Sequence, residues 1–125
     1  EVWLFGTEGD NQVCDSIVRA VTEVKNLAGR TDLGEAIDLL SVVDWVVAND
    51  SGLMHVAAAL GRRVVALFGP TSPEFTPPLS DDAVMLQHSI ECSPCFERTC
   101  PLGHMKCLVD LAPERVIRAM KCMSF

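Results

Sequence analysis

Short apolar runs alternate along this chain with stretches whose apolar residues return every three or four positions. Residues 2–5 form the first run, ended by Gly6 and Thr7. From Asn11 onward, Val13, Cys14, Ile17, Val18 and Val21 fall at helical spacing and predict one apolar face. A second run, at 24–27, ends in Ala28-Gly29-Arg30. Thr31 or Asp32 is then placed to cap a helix carrying Leu33, Ala36, Ile37 and Leu40 on one side. Residues 45–48 predict a third strand and 51–60 a third helix, stopped by Gly61. Residues 64–68 make a fourth strand and 83–86 a fifth. Pro113 suits the first position of a final helix whose apolar face would be Val116, Ile117 and Met120.

Strands alternating with helices predict an α/β fold, a Rossmann-like and mostly parallel sheet with helices on both faces. The runs at 45–48 and 64–68 carry no polar alternation, as expected of strands covered on both sides. Residues 69–80, with prolines at 70, 73, 77 and 78, must form an extended surface loop. At 125 residues one domain is expected, and 49% hydrophobic with 22% charged residues gives it a real core. The net charge of -7 repels phosphate backbones and anionic lipid, so nucleic acid is not expected as a partner. The apolar runs are too short to span a bilayer. No basic segment followed by an apolar one opens the chain, so no signal peptide is expected. The direct step from Glu1 into an apolar run reads as a cut through a larger protein.

In open α/β sheets, ligands bind beyond the carboxyl ends of the strands. The turns there read Gly6-Thr7-Glu8-Gly9-Asp10, Gly29-Arg30-Thr31, Asn49-Asp50-Ser51-Gly52 and Gly69-Pro70-Thr71-Ser72-Pro73, all polar or glycine-rich, and would line one crevice. The sharpest segment runs from Asn49 to His55. Asp50 closes a strand and sits where it can cap the next helix. Ser51 and Gly52 would present backbone amides at the positive end of that helix, which suits a diphosphate. Gly52 admits a ligand closely, and His55 lies about one turn in. The plainer reading leaves Asp50 as a helix cap and His55 as a packed histidine; both stay open at this point. No Asp-x-Asp occurs, so a diphosphate would be held by amides and the helix dipole without Mg²⁺. Neither a Walker loop nor a G-x-G-x-x-G is present, which disfavours ATPase and nicotinamide-cofactor chemistry.

Six cysteines fall in the chain, four of them as Cys92, Cys95, Cys100 and Cys107 with His104 between. The spacing C-x2-C-x4-C-x6-C allows four thiolates around a structural Zn²⁺. An Fe–S cluster, disulfides and unligated thiols are the alternatives. Cys14 and Cys122 lie on apolar helix faces and are expected in the core.

The run Asn49-Asp50-Ser51-Gly52-Leu53-Met54-His55-Val56-Ala57-Ala58-Ala59-Leu60-Gly61, followed by Val65-Ala66-Leu67-Phe68-Gly69-Pro70-Thr71-Ser72-Pro73, resembles the lipopolysaccharide heptosyltransferases, glycosyltransferase family 9. The continuation Glu74-Phe75-Thr76-Pro77-Pro78-Leu79-Ser80 is most like type II members. The resemblance implies a GT-B fold of two Rossmann-like domains, this chain (1–125) being the C-terminal, ADP-heptose-binding one. It implies an inverting transfer of heptose to the lipopolysaccharide inner core, with no cofactor required for catalysis. Asp50 would contact heptose hydroxyls, Ser51 and Gly52 the diphosphate, and His55 the donor. Asp10 would hold the adenosine ribose, and Thr31, with Gly29 and Arg30, would lie beside the adenine. The catalytic base and the acceptor contacts would belong to an N-terminal domain not in this sequence, so this piece alone should be inactive. The implied location is cytoplasmic, with peripheral association at the inner membrane for the whole protein. Competing readings are another GT-B nucleotide-sugar enzyme such as an epimerase, and a non-catalytic nucleotide-binding or zinc-stapled interaction module. The Gly69-Pro70-Thr71-Ser72-Pro73 loop favours the heptosyltransferase group over the epimerase.

Overall fold

The structure is a computed structural model and describes residues 1–123. The chain divides into two compact units, Glu1–Leu39 and the remainder from Leu40. The first contains β1 (Val2–Leu4), a 3₁₀ turn (Glu8–Asp10), α1 (Asn11–Ala20), β2 (Val24–Asn26) and nearly all of α2 (Leu33–Leu40). The second contains β3 (Trp45–Asn49), α3 (Gly52–Ala59), β4 (Arg63–Phe68), β5 (Ala83–Gln87), α4 (Lys106–Val109) and α5 (Pro113–Cys122). Every strand pairing is parallel: β1 with β2, then β4 between β3 and β5. The predicted α/β class and order of elements are therefore present, with the ladders falling into a two-stranded and a three-stranded set.

In the first unit α1 packs on β2. Cys14 is buried, as expected, whereas Val13, Ile17 and Val21 of the same predicted stripe are exposed. Asn26 ends β2 and ties the unit together. Its amide donates to Asn11 Oδ1 at 2.9 Å and Asp15 Oδ1 at 2.8 Å, and its oxygen accepts from the Ala28 amide. Of the two candidate caps for α2, Asp32 is the one used. Asp32 Oδ1 accepts from the Glu35 amide and Glu35 Oε2 accepts from the Asp32 amide, a reciprocal capping box.

The core of the second unit lies between α3 and β4. Met54, Ala57 and Ala58, at helical spacing, meet Val64, Ala66 and Phe68, which share one face of β4 by the two-residue period of a strand. Val65 points to the other face and is just as fully buried, so β4 is covered on both sides, as its unbroken apolar run predicted. Gly61 stops α3 with a positive φ of 67°. The Gly61 amide donates to Ala58 and the Arg62 amide to Ala57, so two carbonyls of the last helical turn find partners. The Arg63 guanidinium lies over the Trp45 ring across the β3–β4 pair.

Two expectations fail near the carboxyl end. Pro113 does open α5, but the side chains it draws inward are Val116, Ala119 and Met120, while Ile117 and Cys122 are exposed. Cys122 is therefore not core. The cysteine-rich loop also contains the short helix α4, which four residues are too few to announce by periodicity.

Candidate functional site

Parallel register puts the carboxyl ends of β3, β4 and β5 on one edge, with Asn49 beside Leu67 and Phe68 beside Gln87. The turn 50–52 and the loop 69–80 both leave from that edge. Asp50 continues the ladder by one bond, its amide donating to the Leu67 carbonyl at 3.2 Å. It is consequently not the cap of α3, as its position in sequence suggested. Ser51 occupies the cap in extended conformation, and its side chain makes no capping hydrogen bond. The opening amides of α3 are thus not closed off by a side chain, and they carry the positive end of the helix dipole.

Gly52 is exposed, and a Cβ placed there would meet nothing within 4 Å. Open space therefore faces the first residue of the helix. His55 is exposed, while its neighbour Met54 takes the buried position against β4. The packed-histidine reading is excluded by that arrangement. The Asp50 carboxylate is half-buried and accepts a hydrogen bond from the Thr76 hydroxyl at 2.9 Å. Sequence reasoning missed Thr76 because the partners are separated by 26 positions.

Thr76 sits on a turn organised by Ser72, a buried polar residue. Ser72 Oγ accepts from the Glu74 amide, and the Ser72 carbonyl accepts from the Phe75 and Thr76 amides. The cysteine-rich loop grips the start of the same segment. Ser93 Oγ donates to the Gly69 carbonyl at 2.6 Å, the Phe96 amide donates to the Pro70 carbonyl at 2.7 Å, and the Phe96 ring meets Phe75 edge-on.

In the first unit the turns after β1 and β2 lie side by side. The Gly29 amide donates to the Gly6 carbonyl, and Gly29, at φ 68°, approaches Glu8 too closely for any Cβ. Asp10 is exposed, and its Oδ2 accepts from the Thr7 hydroxyl and the Thr7 amide at 2.8 and 2.7 Å. These two donors hold its carboxyl below the usual range. Thr31 is half-buried just ahead of the α2 cap.

All six cysteines are free thiols. The Cys107 thiol is raised, by desolvation first and then by the charges of Cys100, Cys92 and Cys95. Cys100 shifts the opposite way. The Met105 amide donates to its sulfur at 3.4 Å, and amides of Leu102, His104 and Gly103 add to the effect. Among the described residues no three His, Cys, Asp or Glu side chains are already set to hold a metal ion. An ion would have to draw the sulfurs together.

The glycosyltransferase family 9 (heptosyltransferase) model matches residues 1–106. Lipopolysaccharide heptosyltransferase 2 of Escherichia coli K12 is 40% identical over 98% of this chain and 37% of its own length. Lipooligosaccharide heptosyltransferase 2 of Haemophilus influenzae is 43% identical over 95% of this chain and 36% of its own. The chain thus spans a little over a third of these relatives. The solved E. coli ADP-heptose lps heptosyltransferase II superposes with a TM-score of 0.83 at 38% identity, over 98% of this chain and 36% of that one. A family 9 glycosyl transferase from Veillonella parvula superposes at 0.75 with 27% identity, over 97% and 35%. With one family model covering most of its length and relatives this similar, the chain belongs to glycosyltransferase family 9, the heptosyltransferases.

Proposed function

We propose that this chain is the donor-binding, C-terminal half of an inverting, metal-independent GT-B glycosyltransferase that moves heptose from ADP-heptose to the lipopolysaccharide inner core. The observation that carries the proposal is the opening of α3. Uncapped amides at its positive end, unfilled space at Gly52 and an outward His55 stand beside a carboxylate that can accept sugar hydroxyl protons.

In the proposed reaction an acceptor hydroxyl attacks the anomeric carbon, the bond to ADP breaks, and configuration inverts. The base that takes the hydroxyl proton would lie in the N-terminal half. The residues here orient heptose through Asp50 and receive the negative charge that grows on departing ADP through the Ser51 and Gly52 amides and His55. For the nucleoside, the proposal retains Asp10 and Thr31 on the strength of the family resemblance. The acceptor would be reached through the N-terminal half. Among the described residues no helix is long and apolar enough to cross a membrane. A cytoplasmic site with peripheral attachment to the inner membrane is part of the proposal.

Titration of the chain with ADP, UDP and GDP by NMR tests it. Saturable shifts at the amides of Ser51, Gly52 and His55, strongest with ADP, support the reading. Amides there that ignore all three nucleotides would falsify it. For Cys92, Cys95, Cys100 and Cys107 we propose a structural zinc, on the strength of their C-x2-C-x4-C-x6-C spacing. Elemental analysis of protein purified under reductant checks it, and sub-stoichiometric zinc would leave them as ordinary thiols.

A further inference from the structure

We propose that Thr76 is a positioning residue for the donor sugar: its hydroxyl fixes the Asp50 carboxylate in the orientation that leaves the other carboxylate oxygen for the ligand. This inference rests on the reading of Asp50 as the sugar-contacting carboxylate.

A carboxylate at the exposed end of a strand has freedom about two side-chain torsions, and a terminal one of that kind is broad. Thr76 removes that freedom by donating to Oδ2 at 2.9 Å. A single donor occupies one oxygen and part of its capacity, so acceptor sites on Oδ1 stay available. Groups held in place before the ligand arrives need no reordering when it binds.

Thr76 can do this because its own backbone is held. The Thr76 and Phe75 amides both donate to the Ser72 carbonyl, Ser72 is buried, and its hydroxyl takes the Glu74 amide. Farther out, Phe75 meets Phe96, whose amide is bonded to Pro70. The cysteine-rich loop therefore supports the turn that presents the Thr76 hydroxyl. Its contribution to the site is mechanical and passes through Thr76.

The test is steady-state kinetics on the full-length enzyme with Thr76→Val, Thr76→Ser, Asp50→Ala and the pair Asp50→Ala/Thr76→Val. Thr76→Val is expected to lower kcat/KM for the donor roughly ten- to a hundredfold, the scale of one hydrogen bond to a charged group. Thr76→Ser keeps the hydroxyl and should stay within about threefold of the parent on the same basis. In the Asp50→Ala background, Thr76→Val should add no further loss, because the two residues act as one unit. Three outcomes overturn the inference: Thr76→Val at the parental rate while Asp50→Ala is slow, Ser failing to rescue, or a full Thr76→Val loss persisting without Asp50. If Asp50→Ala itself has the parental rate, the reading of Asp50 fails first and takes this inference with it. Melting temperatures of all variants identify loss through unfolding. Should Thr76→Val fold poorly, Thr76→Ala takes its place both alone and in the Asp50→Ala background.

Discussion

Leu108 occupies the space in front of Gly69: a Cβ on that glycine would lie 2.5 Å from Leu108 Cγ. Glycine is required at the end of β4 by this approach of α4 and not by an unusual backbone angle. Gly69→Ala is therefore expected to destabilise the chain by about 1–3 kcal/mol, the usual cost of overpacking. Leu108→Ala in the same molecule should recover part of that loss. Urea unfolding of the four members of the cycle measures the coupling, and strictly additive losses would show that the clash is relieved elsewhere.

Gly52 and Gly61 bracket α3 and should respond in opposite ways. Gly61 has a positive φ and open space around it, so Gly61→Ala should cost about 1–2 kcal/mol of stability with donor affinity unchanged. Gly52 has open space and no such backbone demand. Gly52→Ala should leave the unfolding midpoint where it is and weaken nucleotide-sugar binding, because the added methyl would meet only the ligand. Calorimetric binding and thermal melts on both variants check the contrast, and equal affinities would count against a ligand at Gly52.

Asp50→Ala and His55→Ala remove side chains that reach solvent and not the core. His55→Ala should change stability by no more than about 0.5 kcal/mol, and Asp50→Ala, which also loses the Thr76 hydrogen bond, by about 0.5–1.5 kcal/mol. In the full-length enzyme each should lower the rate of heptose transfer by about tenfold or more, on the scale of one lost charge-assisted contact. Parental transfer rates for both variants would remove the assignment of the site to this turn.

In metal-free protein the thiols of the cysteine-rich loop should separate by pH. Cys100 is held below the ordinary thiol range by amide donors, whereas desolvation and its neighbours hold Cys107 above it. Only the thiolate alkylates readily, so at mildly alkaline pH iodoacetamide should label Cys100 first and reach Cys107 as pH rises. Peptide mapping by mass spectrometry against time gives the order. Labelling of Cys107 first would contradict the local electrostatics.

Features written in neighbouring residues were legible in the sequence. Gly61 ends α3 and Pro113 begins α5 because helix stops and starts are local chemistry. The unbroken apolar run of β4 announced its double-sided burial, but the same signal in β3 did not hold, since Val47 is 47% exposed there. Asp50 was misread as a cap because the β3–β4 ladder runs one bond farther than the apolar run, which passes the cap to Ser51. Cys122 and Ile117 fell outside because a short amphipathic helix can turn its face by one residue without disturbing the spacing. The hydrogen bonds of Thr76 and Ser72 were invisible for a different reason. Their roles depend on a loop folding back on a strand end, and nothing in a polar, proline-rich stretch encodes its destination.

The prolines of that stretch bear on how Asp50 is served. Each fixes one backbone angle before folding begins, so the disordered chain has fewer arrangements to give up there. A segment expected to be an extended surface loop thus reaches its folded form at a reduced entropic cost. The stiffness of residues 69–80 is inherited by a single hydroxyl, and lengthening this loop with flexible residues would blur the site from a distance.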